Sequence, residues 1–302
     1  MKKLLPKGSR KLLNAWAFYD WANSVYSLVI ASAVFPIFYQ ALFKSAKIET
    51  VQVFGGAIRS TPLISYTTAA AFLAVAIMSP LLSGIADYVG NKKTFMKFFC
   101  YLGALSCMGL YFFSLEFIYL SLLLYFLALI GFWGSLVFYN SYLPDVAFPE
   151  QQDRVSARGY SMGYVGSVIL LILNLAMVMM PEKFGLGAGG AASMMAMKYS
   201  FISVGIWWIV FSQYSFYYLP KGNPTGQKVH RKVIFNGFNE LRIVYSALSE
   251  DKRLKRYLAA FFVYSMAVQT VMLVATYFGE QEINWGGDKE KTIGLISSIL
   301  II

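Results

Sequence analysis

The chain is 302 residues long, 58% hydrophobic and only 14% charged, with a mean hydropathy of +0.56. A soluble domain carries roughly 25% charged residues to solvate its surface, so this composition excludes an ordinary soluble globule and makes lipid the solvent. The formal charge of +11 would suggest nucleic acid if it formed a patch on a soluble fold, but it is scattered over the loops between apolar runs, and no nucleic-acid partner is expected.

The basic N-terminus, Met1 to Lys11, has the look of a signal-peptide start. The apolar segment behind it, 16–43, is much longer than a signal core of roughly 7–15 residues and has no small-residue cleavage site. It reads as a retained first span. Segments 63–86, 95–115, 117–143, 160–181 and 198–219 also reach the ~20 apolar residues that cross the hydrocarbon core. A basic stretch, 220–256, follows. It opens with Pro220, Gly222, Pro224 and Gly226, which punctuate a chain. It then carries Ile234, Phe238, Leu241, Tyr245 and Leu248 at helical spacing, as an interfacial amphipathic helix or a soluble linker helix would. A seventh span covers 257–278. An eighth begins at Thr292 and reaches only Ile302, about 16 Å of helix against a core of ~30 Å, so the fold is expected to continue beyond this chain.

Alternate loops differ in charge. The N-terminus (Lys2, Lys3, Lys7, Arg10, Lys11), the 87–97 loop (Lys92, Lys93, Lys97), the 144–158 loop (Arg154, Arg158) and the linker hold nineteen of the Lys and Arg residues. The opposite loops hold seven: Lys44, Lys47, Arg59, Lys183, Lys198, Lys289 and Lys291. The richer set belongs in the cytoplasm, which puts the N-terminus inside. Three units follow: a six-helix bundle (1–219), a basic cytoplasmic linker (220–256) and the opening helices of a second bundle (257–302). The abundant Phe and Tyr are expected mainly at the lipid face and the interfaces. His230, Cys100 and Cys107 form no metal-ligand cluster. The two cysteines, about 10 Å apart on one helix, are too distant to bridge, and no cofactor is expected.

The loop between spans two and three reads Gly84-Ile-Ala-Asp87-Tyr-Val-Gly90-Asn-Lys92-Lys93. It resembles the signature loop of the major facilitator superfamily, which latches the two halves of a transporter and gates alternating access. Gly84 would allow close helix approach, Asp87 would accept from a helix N-terminus, and Gly90 would take a left-handed turn. Lys92 and Lys93 would reach acids on the opposing half. Three further stretches are Trp16-Ala-Phe-Tyr19-Asp20-Trp21-Ala22-Asn23-Ser24, Phe138-Tyr139-Asn140-Ser141-Tyr142-Leu143-Pro144-Asp145 and Phe262-Val-Tyr264 through Gly279. With the loop, they resemble the vacuole-effluxer-like family of that superfamily, named for fungal vacuolar amino-acid exporters. The resemblance implies an all-α transmembrane fold of twelve helices and efflux of a small polar solute. The chain departs from the family at Ser265-Met266, where an acidic residue often follows the tyrosine. Span four also lacks the intramembrane arginine of proton-driven drug exporters.

Intramembrane ionisable groups are costly and functional by default, and Asp20 is the clearest one. Asp20, Asn23, Ser24 and Ser27 share one helix face and are candidates to meet a substrate or a coupling ion such as a proton. Asp20 could equally be a structural anchor that caps span five or the linker. Tyr139 and Asn140 join the substrate candidates, with Asn140 also suited to pairing with another helix. Asp145 would cap a turn or pair with Arg154 or Arg158. Gly159, Gly163 and Gly166 form a close-packing face on span five, and Asn174 on the same side would reach the cavity. An enzyme would need a second carboxylate or a nucleophile and base at one membrane depth, and none is visible. The expectation is a monomeric permease in the cell membrane, with lipid and solute as its partners. A non-transporting subunit or receptor on the same fold is the alternative.

Overall fold

In the computed structural model, Ser9 starts the first helix with an extended backbone (φ −68°, ψ 138°). The chain then enters α1 (Arg10–Ala46), 37 residues of mostly apolar helix. A helix satisfies all its own amides, as hydrocarbon demands. Across Tyr26–Val34 the turns widen to π spacing, and the Phe35 N–H bonds to the Ile30 carbonyl five residues back. Pro36 follows immediately and has no N–H to offer the Ser32 carbonyl four residues before it. That carbonyl instead accepts the Thr276 hydroxyl. Ordinary helix resumes over Phe35–Ala46 and stops at Lys47, which is left-handed (φ 56°).

A hairpin of β1 (Thr50–Val53) and β2 (Gly56–Arg59) comes next, with Thr50 opposite Arg59 and Val53 opposite Gly56. Nothing in the apolar pattern predicts it, because four-residue strands are too short for alternation to be legible. The remaining helices are α2 (Ser60–Val89), α3 (Lys92–Gly109), α4 (Ile118–Ser141), α5 (Pro149–Met179), α6 (Gly190–Tyr218) and α7 (Lys252–Glu282). A short turn of helix, Leu143–Val146, joins α4 to α5. The structure describes residues 5–53, 55–222, 242–243, 245–246 and 251–282, without the side chains of 87–89, 272–273 and 280–282. The expected eighth span and most of the linker, including His230, Ile234, Phe238, Leu241 and Leu248, lie outside the described residues.

All seven expected spans are helices. Among the described residues, six of them, α1 to α6, are long and apolar enough to cross a membrane. The chain is a multi-pass, all-α membrane protein. Its helices pack in a swapped pattern: α1 lies against α5 and α6, α4 against α2 and α3, and α3 against α6. Exchanging the first three helices with the last three reproduces that list, as a nested 3+3 repeat requires. The two repeat-mates α1 and α4 are the most buried, at 61% and 56% of their apolar stretch. The mates α2 and α5, at 17% and 33%, turn most of their surface outward.

Aromatic residues do more than line the lipid. Tyr19, Tyr26, Phe35, Phe38, Phe201 and Trp208 are fully buried, and Phe35 stacks on Tyr125 with centroids 4.4 Å apart. Among the described residues eighteen Phe and Tyr side chains are exposed and sixteen are buried, so rings face outward as expected and also fill the interior. Burying apolar surface gains little against lipid tails, so packing contact decides, and large flat rings supply much of it. Where rings are absent, glycines let backbones touch. A Cβ on Gly131 of α4 would overlap the Gly103 backbone of α3, and a Cβ on Gly134 would lie 2.6 Å from the Phe99 ring. Gly131→Ala is expected to cost about 1–3 kcal/mol, as overpacking does. Thermal unfolding in detergent micelles measures it, with Gly190→Ala, whose Cβ would meet nothing within 4 Å, as the near-neutral reference.

Candidate functional site

Asp20 is 6% exposed in the first half of α1. Its Oδ2 accepts a 2.8 Å hydrogen bond from the Tyr139 hydroxyl on α4. The tyrosine is itself fixed. Trp16 stacks on its ring at 4.3 Å and 15°, and Trp16 Nε1 donates to the Tyr139 carbonyl at 3.0 Å. Among the described residues no Lys or Arg forms an ion pair with Asp20. A buried carboxylate held by one neutral donor is far from fully compensated, since desolvating an ion costs several kcal/mol.

The glycines of α5 make room for this group. A Cβ on Gly159 would sit 2.6 Å from Asp20 Oδ2, one on Gly163 would sit 2.5 Å from Ser24 Oγ, and one on Gly166 would meet the Trp21 ring at 3.0 Å. Asp20 therefore lies between α4 and α5 and, among the described residues, caps neither span five nor the linker. Asn23 is fully buried and its Nδ2 has no partner among the described residues, while its Oδ1 accepts a long 3.4 Å bond from Ser24 Oγ. Ser24 and Ser27 are half-buried. The expected polar stripe is thus divided, with Asp20 and Asn23 inside the bundle and the two serines at its edge. Asn174 is buried and accepts from Ser203 of α6 at 2.9 Å, so it packs inside the bundle instead of reaching a cavity. Asn140 is exposed, where helix pairing had been one of its expected roles; one residue of rotation separates it from buried Tyr139.

The basic loops meet at one end of the bundle. Gly8 N–H donates to the Val146 carbonyl at 2.8 Å, and Gly90 takes the expected left-handed turn (φ 68°). Gly84 is buried within α2, and the Asp87 side chain lies outside the described residues. Lys92 Nζ pairs with Asp145 at 3.2 Å and lies 3.5 Å from the Ser141 carbonyl. Arg158 bonds to Asn14 of α1, and Arg154 is exposed. One expectation is corrected by this. Asp145 does not pair with Arg154 or Arg158, because the α2–α3 turn brings Lys92 to it first. Lys93 is buried and donates to the Leu219 carbonyl at 2.6 Å, and the acids of an opposing half lie outside the described residues. Cys100 and Cys107 are buried and unbridged, and no His, Cys, Asp or Glu cluster suited to a metal occurs among the described residues.

A family model described as vacuole effluxer Atg22-like matches residues 8–151 and 148–302. The uncharacterized MFS-type transporter YxiO of Bacillus subtilis strain 168 is 33% identical over 270 residues, 88% of this chain and 59% of that protein. Autophagy-related protein 22 of Coccidioides immitis is 21% identical over 391 residues, 97% of this chain and 63% of that protein. The chain thus spans about six-tenths of the length of these two relatives. With matches over both of its parts, the chain belongs to the vacuole effluxer Atg22-like family.

Proposed function

We propose that residues 1–219 form the first half of a secondary active transporter of the major facilitator type, 220–256 its cytoplasmic linker, and 257–302 the start of its second half. The transporter exports a small polar solute, an amino acid or a close relative, by alternating access. It works as a monomer in the cell membrane with its N-terminus in the cytoplasm. The observation that carries this reading is Asp20: a carboxylate buried in a spanning helix, held by Tyr139 alone among the described residues. Such a group is costly and gains most from a cation that visits it, either a proton as coupling ion or the ammonium of the solute.

The contact of α7 with α1 supports alternating access. It engages chiefly the Tyr26–Ala46 half of α1, through Thr276 and buried Tyr277. The first half of α7, 252–264, is exposed throughout. Contact between the opening helix of the second half and the far end of α1 is what a two-half carrier needs. The names of the relatives, an MFS-type transporter and autophagy-related protein 22 of the effluxer family, agree with transport.

Asp20→Asn in the full-length protein is expected to cut amino-acid flux in proteoliposomes about tenfold or more, the scale of a lost charge-assisted bond worth ~1.5–3 kcal/mol. Tyr139→Phe should fall between that variant and the parent. Parental flux from a well-expressed Asp20→Asn protein would overturn the assignment. For orientation, Arg59→Cys on the hairpin should react with a membrane-impermeant maleimide in intact cells, and Lys11→Cys only after permeabilisation. Both positions are exposed, and the native cysteines are buried. The reverse pattern would invert the topology.

A further inference from the structure

The chain leaves α6 at Tyr218 and crosses directly over the turn between α2 and α3. Pro220 forces this exit. It cannot continue a helix, and it holds the residue before it extended; Leu219 accordingly has φ −59° and ψ 141°. The last carbonyls of α6 then need donors from elsewhere.

Three contacts fasten the exit. Lys93 Nζ donates to the Leu219 carbonyl at 2.6 Å, with the lysine only 7% exposed. Tyr142 Oη donates to the Pro220 carbonyl at 3.0 Å from a side chain that is 2% exposed. Gly222 (φ 81°) lies so close on Gly90 (φ 68°) that a Cβ there would overlap the Gly90 carbonyl oxygen. A lysine that served only as an interfacial basic residue would keep its ammonium in water. Burying it is costly, and its place at the negative end of α6 offsets part of that cost. Next to it, Lys92 ties the same turn to Asp145 at the exit of α4. One turn therefore gathers the ends of α2, α4 and α6.

We propose that Lys93 and Tyr142 are positioning residues for the linker. They clamp Leu219–Gly222 to the Gly90 turn, so that the loop between α2 and α3 and the segment leading to the second half move as one body. The two lysines of the loop divide the work, Lys92 holding α4 and Lys93 holding the linker entrance. The clamp stands independently of which solute is carried or whether any is.

The test uses the full-length protein with a nitroxide at Lys221→Cys, an exposed position in the clamped segment; the native cysteines are buried. A second label at exposed Asp153→Cys on α5 gives a distance by pulsed electron resonance. The parent should show an immobilised line shape and a narrow distance distribution. Lys93→Met with Tyr142→Phe should lose the immobilised component and broaden the distribution. Restoring Lys93 as Lys93→Arg, with Tyr142 intact, should recover both, because a cationic donor returns. A label pair at Lys44→Cys and Asp153→Cys reports on the bundle itself. If the double variant disturbs that pair, Tyr142→Phe alone, which deletes one hydroxyl, is read instead. Parental line shape and distances in the variant so chosen would overturn the clamp. None of these readouts depends on flux, so failure of the clamp and failure of the transport assignment are separate results.

Discussion

In hydrocarbon a helix gains little by burying leucine against leucine, because the lipid is as apolar as the neighbour; what holds α1 among α4, α5 and α6 is contact distance and hydrogen bonding. Both depend on how closely the helices approach. The glycines at 159, 163 and 166 bring α5 against Asp20, Ser24 and Trp21. Trp207 of α6 reaches across to donate to the Trp21 carbonyl at 3.0 Å, and Trp16 donates to the Tyr139 carbonyl of α4. The same closeness excludes water from Asp20 and leaves Tyr139 as its donor. The carboxylate is thus a consequence of the packing as much as a passenger in it. Any motion that separates α5 from α1 would also resolvate Asp20.

Much of this architecture is legible in the sequence. Span count, the gathering of basic loops at one end and the left-handed turn at Gly90 follow from hydropathy, charge and the conformational freedom of glycine. The limits of the spans are less legible. Pro149–Met179 begins well before the apolar run at 160, because a helix continues into water wherever its amides are already paired. The site is only half legible. Asp20, Tyr139 and the three glycines can be singled out one by one, but periodicity within one helix does not say which helix lies opposite. Asp145 shows the limit: two arginines lie close in sequence, yet its partner is Lys92, distant in sequence and adjacent in the fold. Lys93 shows it again, since a run of two lysines gives no sign that one of them is buried.

The basic end also holds the last turn of α6 in place. Lys11 lies over the Tyr218 ring at 4.6 Å and Lys97 over Phe216 at 5.3 Å, from α1 and α3 respectively. With Lys93 on the Leu219 carbonyl, three cations from two helices converge on the last turn of α6. The helix dipole favours positive charge there, and aromatic faces add cation–π attraction of ~0.5–1 kcal/mol at exposed sites. The gathering of basic residues at this end therefore also fastens the end of the six-helix bundle.

Pro36 links the local chemistry of α1 to its contact with α7. A proline inside a spanning helix leaves a carbonyl without its donor, and in lipid that carbonyl must be satisfied by a neighbour. Ser32 supplies the carbonyl and Thr276 of α7 supplies the hydroxyl. Without the proline, the carbonyl would be engaged within α1 and could not accept the Thr276 hydroxyl of α7. With it, α1 carries a polar acceptor that is satisfied when α7 is docked and unsatisfied when α7 moves away, at a cost of ~1–3 kcal/mol if no water reaches it. Such a contact is strong enough to favour the docked arrangement of α7 on α1 and weak enough to be released once water enters. The π-widened turns before Pro36 place this flexible stretch opposite the α7 contact, at the opposite end of α1 from Asp20 and the basic loops.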